Sequence, residues 1–243
     1  MERDSANEAP AQADALADLR LLHLADSALP IGALAHSFGL ESLTACEMLT
    51  ARDLPDFLPT YLEEAGTIEA VFCREAFRLP AATSQNDFAA RWLALNIQSS
   101  ARKPARESRA GSASLGANFL RVVLGLAEVP LAREALNASR RSASLVHYST
   151  AFGLAGNLLG FAEERVALVY LHQSVANLVS SCQRLLPLGQ SDAARILWNL
   201  KPAILAAANR SAVTALQDAS CFMPLLDWGA MEHPALSTRL FIS

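Results

Sequence analysis

The chain has 243 residues, 52% of them hydrophobic and 18% charged, with a formal net charge of −4. That length buries a substantial core in one domain or two, and the charge excludes the strongly basic field that holds nucleic acid. Aromatics make up only 7% and Ala and Leu dominate, a balance that favours helices over sheet.

Met1–Asp14 is polar and acidic, lacks the basic and apolar regions of a signal peptide, and is expected to form a disordered arm. A helix is predicted over Leu16–Ala28, ended by Pro30, which biases Leu29 out of the α region. A second runs from Ala35 to about Leu49. Asp53 with Pro55 opens a long helix to about Leu79, and Ser84 or Asn86 caps the next, to about Ser100. Pro104 sits in the first turn of a helix that reaches Ala127, and Pro130 opens a short one over Leu131–Ser139. Tyr148–Leu159 is predicted to close at Gly160, a C′ residue.

Glu163–Leu186 follows, its two acidic residues at the positive helix end. In it Leu168, Leu171, Val175, Leu178, Cys182 and Leu185 form one apolar stripe. The last long pattern, Gln190–Ala215, is bent or split by Pro202. No alternating strand, hairpin dipeptide or tandem repeat is present. The fold class is therefore all-α: a single-domain bundle of roughly eight to ten helices over residues 15–222, with an extended C-terminal tail over 223–243.

Ser142–Ala162 and Val166–Gln183 carry no charge but contain His, Asn, Gln, Ser and Gly. They read as helices covered by protein, not as membrane spans. Cys46, Cys73, Cys182 and Cys221 are scattered without a CxxC pair, which fits reduced thiols in a cytoplasmic protein.

No catalytic set is visible. The serines lack a glycine elbow, and neither GxxxxGK[ST] nor GxGxxG occurs, so no cofactor is expected. His36 and Glu41 lie five apart, about 140° around a regular helix, and cannot chelate one ion. His23 and Asp26 share a face but supply two ligands where a structural site needs four. His36 alone stays as a weak metal candidate. Arg102, Arg106 and Arg109 share one helix face: a solvated surface, or a contact for an acidic or phosphate-bearing partner. The small residues from Gly111 to Ala117 allow close approach of another helix. The tail holds Trp228, Met231, Leu236, Leu240, Phe241 and Ile242. Exposed, they would form a patch that proteins usually cover, either on their own domain or on another chain, and docking on another chain is favoured.

Four short stretches, in order, carry a resemblance: LADSALPIG with AHS and GLE over 24–41, ARESR with GANFLR over 105–121, LPLGQSD over 186–192, and RLF with a final Ser over 239–243. In this order the chain resembles the urease accessory protein F family (UreF). The resemblance implies an all-helical, non-catalytic urease maturation factor. It would scaffold the complex that inserts nickel into apo-urease, and regulate its GTPase. It implies a homodimer whose partners are urease accessory protein D (H in some species), the GTPase urease accessory protein G, and apo-urease, with neither nucleic acid nor membrane. A nickel-binding metallochaperone is the alternative reading.

By the same resemblance Arg239, Leu240, Phe241 and Ser243 dock the D-type partner. Pro30, Gly32, His36, Ser37 and Glu41, Arg106 and Arg109, and Gly189, Gln190 and Asp192 are partner or self-contacts. The chain departs from the family pattern at Ala33 and Phe38, where glycines are usual, and at Ile242, where arginine is usual.

Overall fold

The computed structural model describes residues 5–242. Among them there is no strand, and the helices pack as one all-α arrangement. They are α1 (Ser5–Leu24), α2 (Leu40–Ala45), α3 (Leu54–Tyr61), α4 (Thr67–Ala82), α5 (Gln85–Ala101) and α6 (Arg106–Leu126), then α7 (Pro130–Arg141), α8 (Tyr148–Leu158), α9 (Glu163–Leu185), α10 (Gln190–Asn199), α11 (Lys201–Val213) and α12 (Pro224–Glu232). Ser243 and residues 1–4 lie outside the described residues, while α1 covers the rest of the expected arm from Ser5 on.

α8 is the central element. Tyr148 through Gly156 are all buried, as an uncharged stretch with small residues allows. Gly153 sets α8 against α4: a Cβ there would stand 1.8 Å from the Cys73 carbonyl oxygen. Gly116 brings α6 onto the backbone of Val146 and His147 in the same way, so the small-residue run serves internal packing. Phe119, Tyr148, Phe152 and Tyr170 then close a buried aromatic cluster, with ring centroids 5.2 to 6.0 Å apart. Such pairs add about 0.5–1.5 kcal/mol each beyond area burial.

Buried polar groups are tied across helices. The Trp92 indole N–H donates to Ser139 Oγ at 2.9 Å, joining α5 to α7. Asn96 Oδ1 accepts from the His147 N–H and the Thr150 hydroxyl. Arg74, 3% exposed, donates to Ser211 Oγ, the Ala208 carbonyl and Glu163, joining α4 to α9 and α11.

The predicted punctuation largely holds. Ser84 Oγ caps α5 by accepting from the Asp87 N–H, Gly160 has φ +77°, and Pro202 lies at the start of α11, just after the break at Leu200. The expected stripe of α9 faces inward, with Leu171, Val175, Leu178 and Cys182 buried. Elsewhere the structure differs: the first helix ends at Leu24 rather than Ala28, and Pro104 precedes α6 instead of lying in its first turn. The long helix from Asp53 is interrupted by a π-helical turn over Leu62–Gly66, where one extra residue is accommodated and Thr67 Oγ1 donates to the Leu62 carbonyl. Asp53 does not cap α3; its carboxylate accepts from Thr50 instead. The helix predicted over Ala35–Leu49 shrinks to a 3-10 turn and the short α2, because Phe38 and Gly39 both take positive φ and break it. At +51° Phe38 occupies a conformation that favours glycine, at a cost of about 1–2 kcal/mol.

Candidate partner-docking site at the carboxyl terminus

The tail does not hang free. It contains α12 and a 3-10 turn, His233–Ala235, then runs extended back over the segment before α2. Two glycines make this possible. Gly39 at φ +97° faces the backbone of Leu226 and Ala230, and Gly229 faces the Gly39 carbonyl oxygen, which a Cβ would meet at 2.7 Å. α12 therefore lies backbone to backbone against the start of α2.

Glu41, in the first turn of α2, is the hub. Its carboxylate accepts from the backbone N–H of Leu240 at 2.6 Å and of Phe241 at 3.1 Å, and it contacts His233 Nε2 at 2.9 Å. Glu41 is 5% exposed, so these are hydrogen bonds to a buried charge, the strong kind. The Pro30-Ile31-Gly32 turn supplies the other wall. Gly32 at φ +86° opens the 3-10 turn Ala33–Ala35, and the Ala35 carbonyl accepts from the Ile242 N–H at 2.8 Å. Arg184 of α9 donates to the Leu34 carbonyl and lies 4.2 Å from the Phe241 ring centroid, a cation–π contact.

The result is an alternation. Phe241 is buried on its own domain, while Leu240 and Ile242 on either side are 59% and 68% exposed. Among the expected site residues, Glu41, Leu240 and Phe241 meet here, with Arg239 3.6 Å from Glu107 of α6. His36 and Ser37 are buried nearby; the Ser181 hydroxyl donates to the His36 carbonyl, and burial lowers the His36 ring pKa. Pro30 and Gly32 form the exposed edge of the turn. Ser243 lies beyond the described residues.

The arginine face divides. Arg102 donates to the Leu216 carbonyl and Arg109 to the carbonyls of Lys103 and Pro104, holding loop backbone. Arg106 is exposed. The third motif is placed elsewhere: Gly189, Gln190 and Asp192 start α10, which packs on α9 and α11. Asp192 lines a groove of about 400 Å³ with Arg52, Pro55, Pro59, Pro187 and Ile196.

Behind the tail lies a cavity of about 140 Å³, bordered by His36, Tyr61, Glu69, Lys103, Tyr170 and Asp227. Burial alone would push the Glu69 carboxyl up, but the paired Lys103 ammonium wins and holds it below its usual range. Burial raises the Asp227 carboxyl and, well above its ordinary value, the Tyr170 phenol. No group of three His, Cys, Asp or Glu among the described residues could hold a metal ion. Cys73 and Cys182 are buried and Cys46 and Cys221 exposed, all as free thiols.

Sequence reasoning found Glu41 and Phe241 but not their connection, and missed His233, Glu107 and Arg184 altogether. His233 is separated from Glu41 by 192 positions and from Glu107 by 126, so no local spacing could announce the contact.

Comparison with known proteins places the molecule. Residues 48–201 match the family model described as UreF. A urease accessory protein UreF from Corynebacterium glutamicum (strain R) is 33% identical over 229 residues, covering 93% of this chain and 98% of the relative. The urease accessory protein UreF of Rhodopseudomonas palustris (strain BisB5) is 31% identical over 243 residues, covering 99% and 97%. That of Geobacillus kaustophilus (strain HTA426) is 28% identical over 227 residues. The family-model match covers more than half of the chain, and the chain belongs to the UreF family of urease accessory proteins.

Proposed function

We propose that this protein is a non-catalytic urease maturation factor of the cytoplasm, which scaffolds the accessory complex that inserts nickel into apo-urease and regulates its GTPase. It acts as a homodimer. Its tail docks the D-type (H-type) accessory protein, and the pair recruits the GTPase accessory protein G to apo-urease. Membership of the family supports the maturation role. The observation that carries the docking role is the alternation at the terminus: Phe241 anchors the tail, and Leu240 and Ile242 stand outward. Two apolar side chains at a terminus otherwise held in place form a pre-organised contact, which cuts the ordering cost that a loose tail would bear on binding. α12 adds partly exposed Trp228 and Met231. Arg106 is the exposed member of the arginine face and is assigned to recruitment of the GTPase.

The test is deletion of residues 236–243. Size-exclusion chromatography with light scattering should then show no complex with the D-type protein, while the helical circular dichroism stays intact. Unchanged complex formation would refute docking through the tail. Tight stoichiometric binding of Ni²⁺ by the purified chain in equilibrium dialysis would instead favour the metallochaperone reading.

A further inference from the structure

His233 is completely buried and stands between two carboxylates. Its Nδ1 is 2.6 Å from Glu107 Oε2 and its Nε2 is 2.9 Å from Glu41 Oε2. The partners come from α6 and α2, so the ring bridges two helices. A neutral imidazole carries one N–H and one lone pair, and an ionised carboxylate only accepts. With both carboxylates ionised, the two short contacts are made together by a ring with two N–H groups. Arg239 of the tail lies 3.6 Å from Glu107 Oε1, Arg184 of α9 covers the Phe241 ring, and Asp227 and Glu232 share the histidine's own segment. With Glu41, Glu107, the doubly protonated ring and Arg239, the cluster is neutral as a set.

Glu41 Oε2 accepts from Phe241 N–H as well as facing His233 Nε2, and Oε1 accepts from Leu240 N–H. The carboxylate that holds the ring therefore holds the tail. If the ring loses a proton, a lone pair faces a carboxylate in a buried site, where an unpaired charge is most costly. The nearest relief is for the last residues to lift and admit water.

We propose that His233 is a proton-dependent clasp: the doubly protonated ring locks Glu41 and Glu107 together and fixes the C-terminal tail, and loss of that proton releases residues 239–242. The consequence, that release changes the tail's availability to a partner, rests on the docking reading above; the clasp itself does not, and it is tested on the chain alone.

The experiment is hydrogen–deuterium exchange on the full chain at pH about 6 and about 9. Rates are divided by the intrinsic exchange rate at each pH. Protection of the Leu240, Phe241 and Ile242 amides, relative to α8, should fall about tenfold or more at the higher pH. In His233→Gln it should be low at both. Equal protection at the two pH values, or the same fall in His233→Gln, would overturn the proposal. Nitrogen NMR of the unaltered protein gives a check that needs no variant: under conditions where the tail amides are protected both His233 ring nitrogens should be protonated, and a singly protonated ring there would overturn the clasp. Loss of the partner interaction in other tests would leave these readouts unmoved, so the two ideas fail separately.

Discussion

Two histidines in this molecule are wholly buried, His147 and His233, and their neighbourhoods are opposite. His147 sits at the start of α8 with Ser100 Oγ 2.6 Å from Nε2 and Ser112 Oγ 3.1 Å from Nδ1. Hydroxyls donate or accept, so a neutral ring is satisfied there. Burial, with Lys103 adding to it, lowers the pKa of His147 to about 3. His233 faces two carboxylates, which only accept. The first ring belongs to a core of helices fixed by close backbone approach, the second to a terminus held by the Glu41 carboxylate, the Ala35 carbonyl and the burial of Phe241. The difference teaches where the fold is rigid and where it is built to let go: loss of a core contact is felt by the whole domain, whereas loss of a tail contact is limited by the free energy of lifting the tail.

The largest effect is expected at the centre. Gly153→Val puts side-chain atoms into the Cys73 backbone, which the rigid α4–α8 contact cannot absorb. It should abolish the cooperative unfolding transition followed by circular dichroism; a normal transition would show that the α4–α8 contact yields. Next comes Phe119→Ala, which removes a fully buried ring and should cost about 3–5 kcal/mol by urea unfolding. Glu41→Ala strips the tail of its acceptor. Deuterium uptake at 240–242 should become rapid, while the global urea midpoint moves less than in Phe119→Ala. Equal global losses would show that tail and core unfold as one unit.

pH sharpens the contrast. The unfolded His147 ring takes a proton below about pH 6.5. The folded ring, lowered to about 3, declines it. Its contribution is therefore intact above about pH 6.5 and falls as pH drops towards 3, at no more than about 1.4 kcal/mol per unit. His147→Asn should make the fall of the urea midpoint shallower from pH about 7 to about 4. His36 and His172, also lowered by burial, keep part of the slope. The smallest effect on the fold is expected from Arg106→Glu. Stability should change by less than about 0.5 kcal/mol, since the side chain is exposed. Recruitment of the GTPase should weaken in co-purification; normal recruitment would return Arg106 to plain surface.

Much of the core was legible because its signals are local. Ser84, Gly160 and Pro202 act on their own backbone, and the α9 stripe is a spacing. The uncharged stretch that became α8 announced its burial by composition. The tail was legible only in pieces. Its apolar residues and the turn before α2 each stood out, but what joins them is a set of contacts nearly the whole chain apart. Self-packing holds for Phe241, while Leu240 and Ile242 stay exposed. α12 was passed over as extended tail. Its short pattern acquires a reason only once Gly39 and Gly229 face each other. Phe38 shows the reverse, a residue whose φ of +51° favours glycine although its side-chain type announces nothing of the kind.

The most direct test of the account is the affinity of the D-type accessory protein for the Leu240→Asp/Ile242→Asp double variant, measured by calorimetry beside the unaltered chain. Neither side chain is packed in the domain, so circular dichroism and Phe241 amide protection should be unchanged. At least about a hundredfold loss of affinity is expected, because two apolar anchors are replaced by charges that the interface cannot pair. Unaltered affinity with an intact fold would contradict it, and would leave the terminus as a strap that serves its own domain alone.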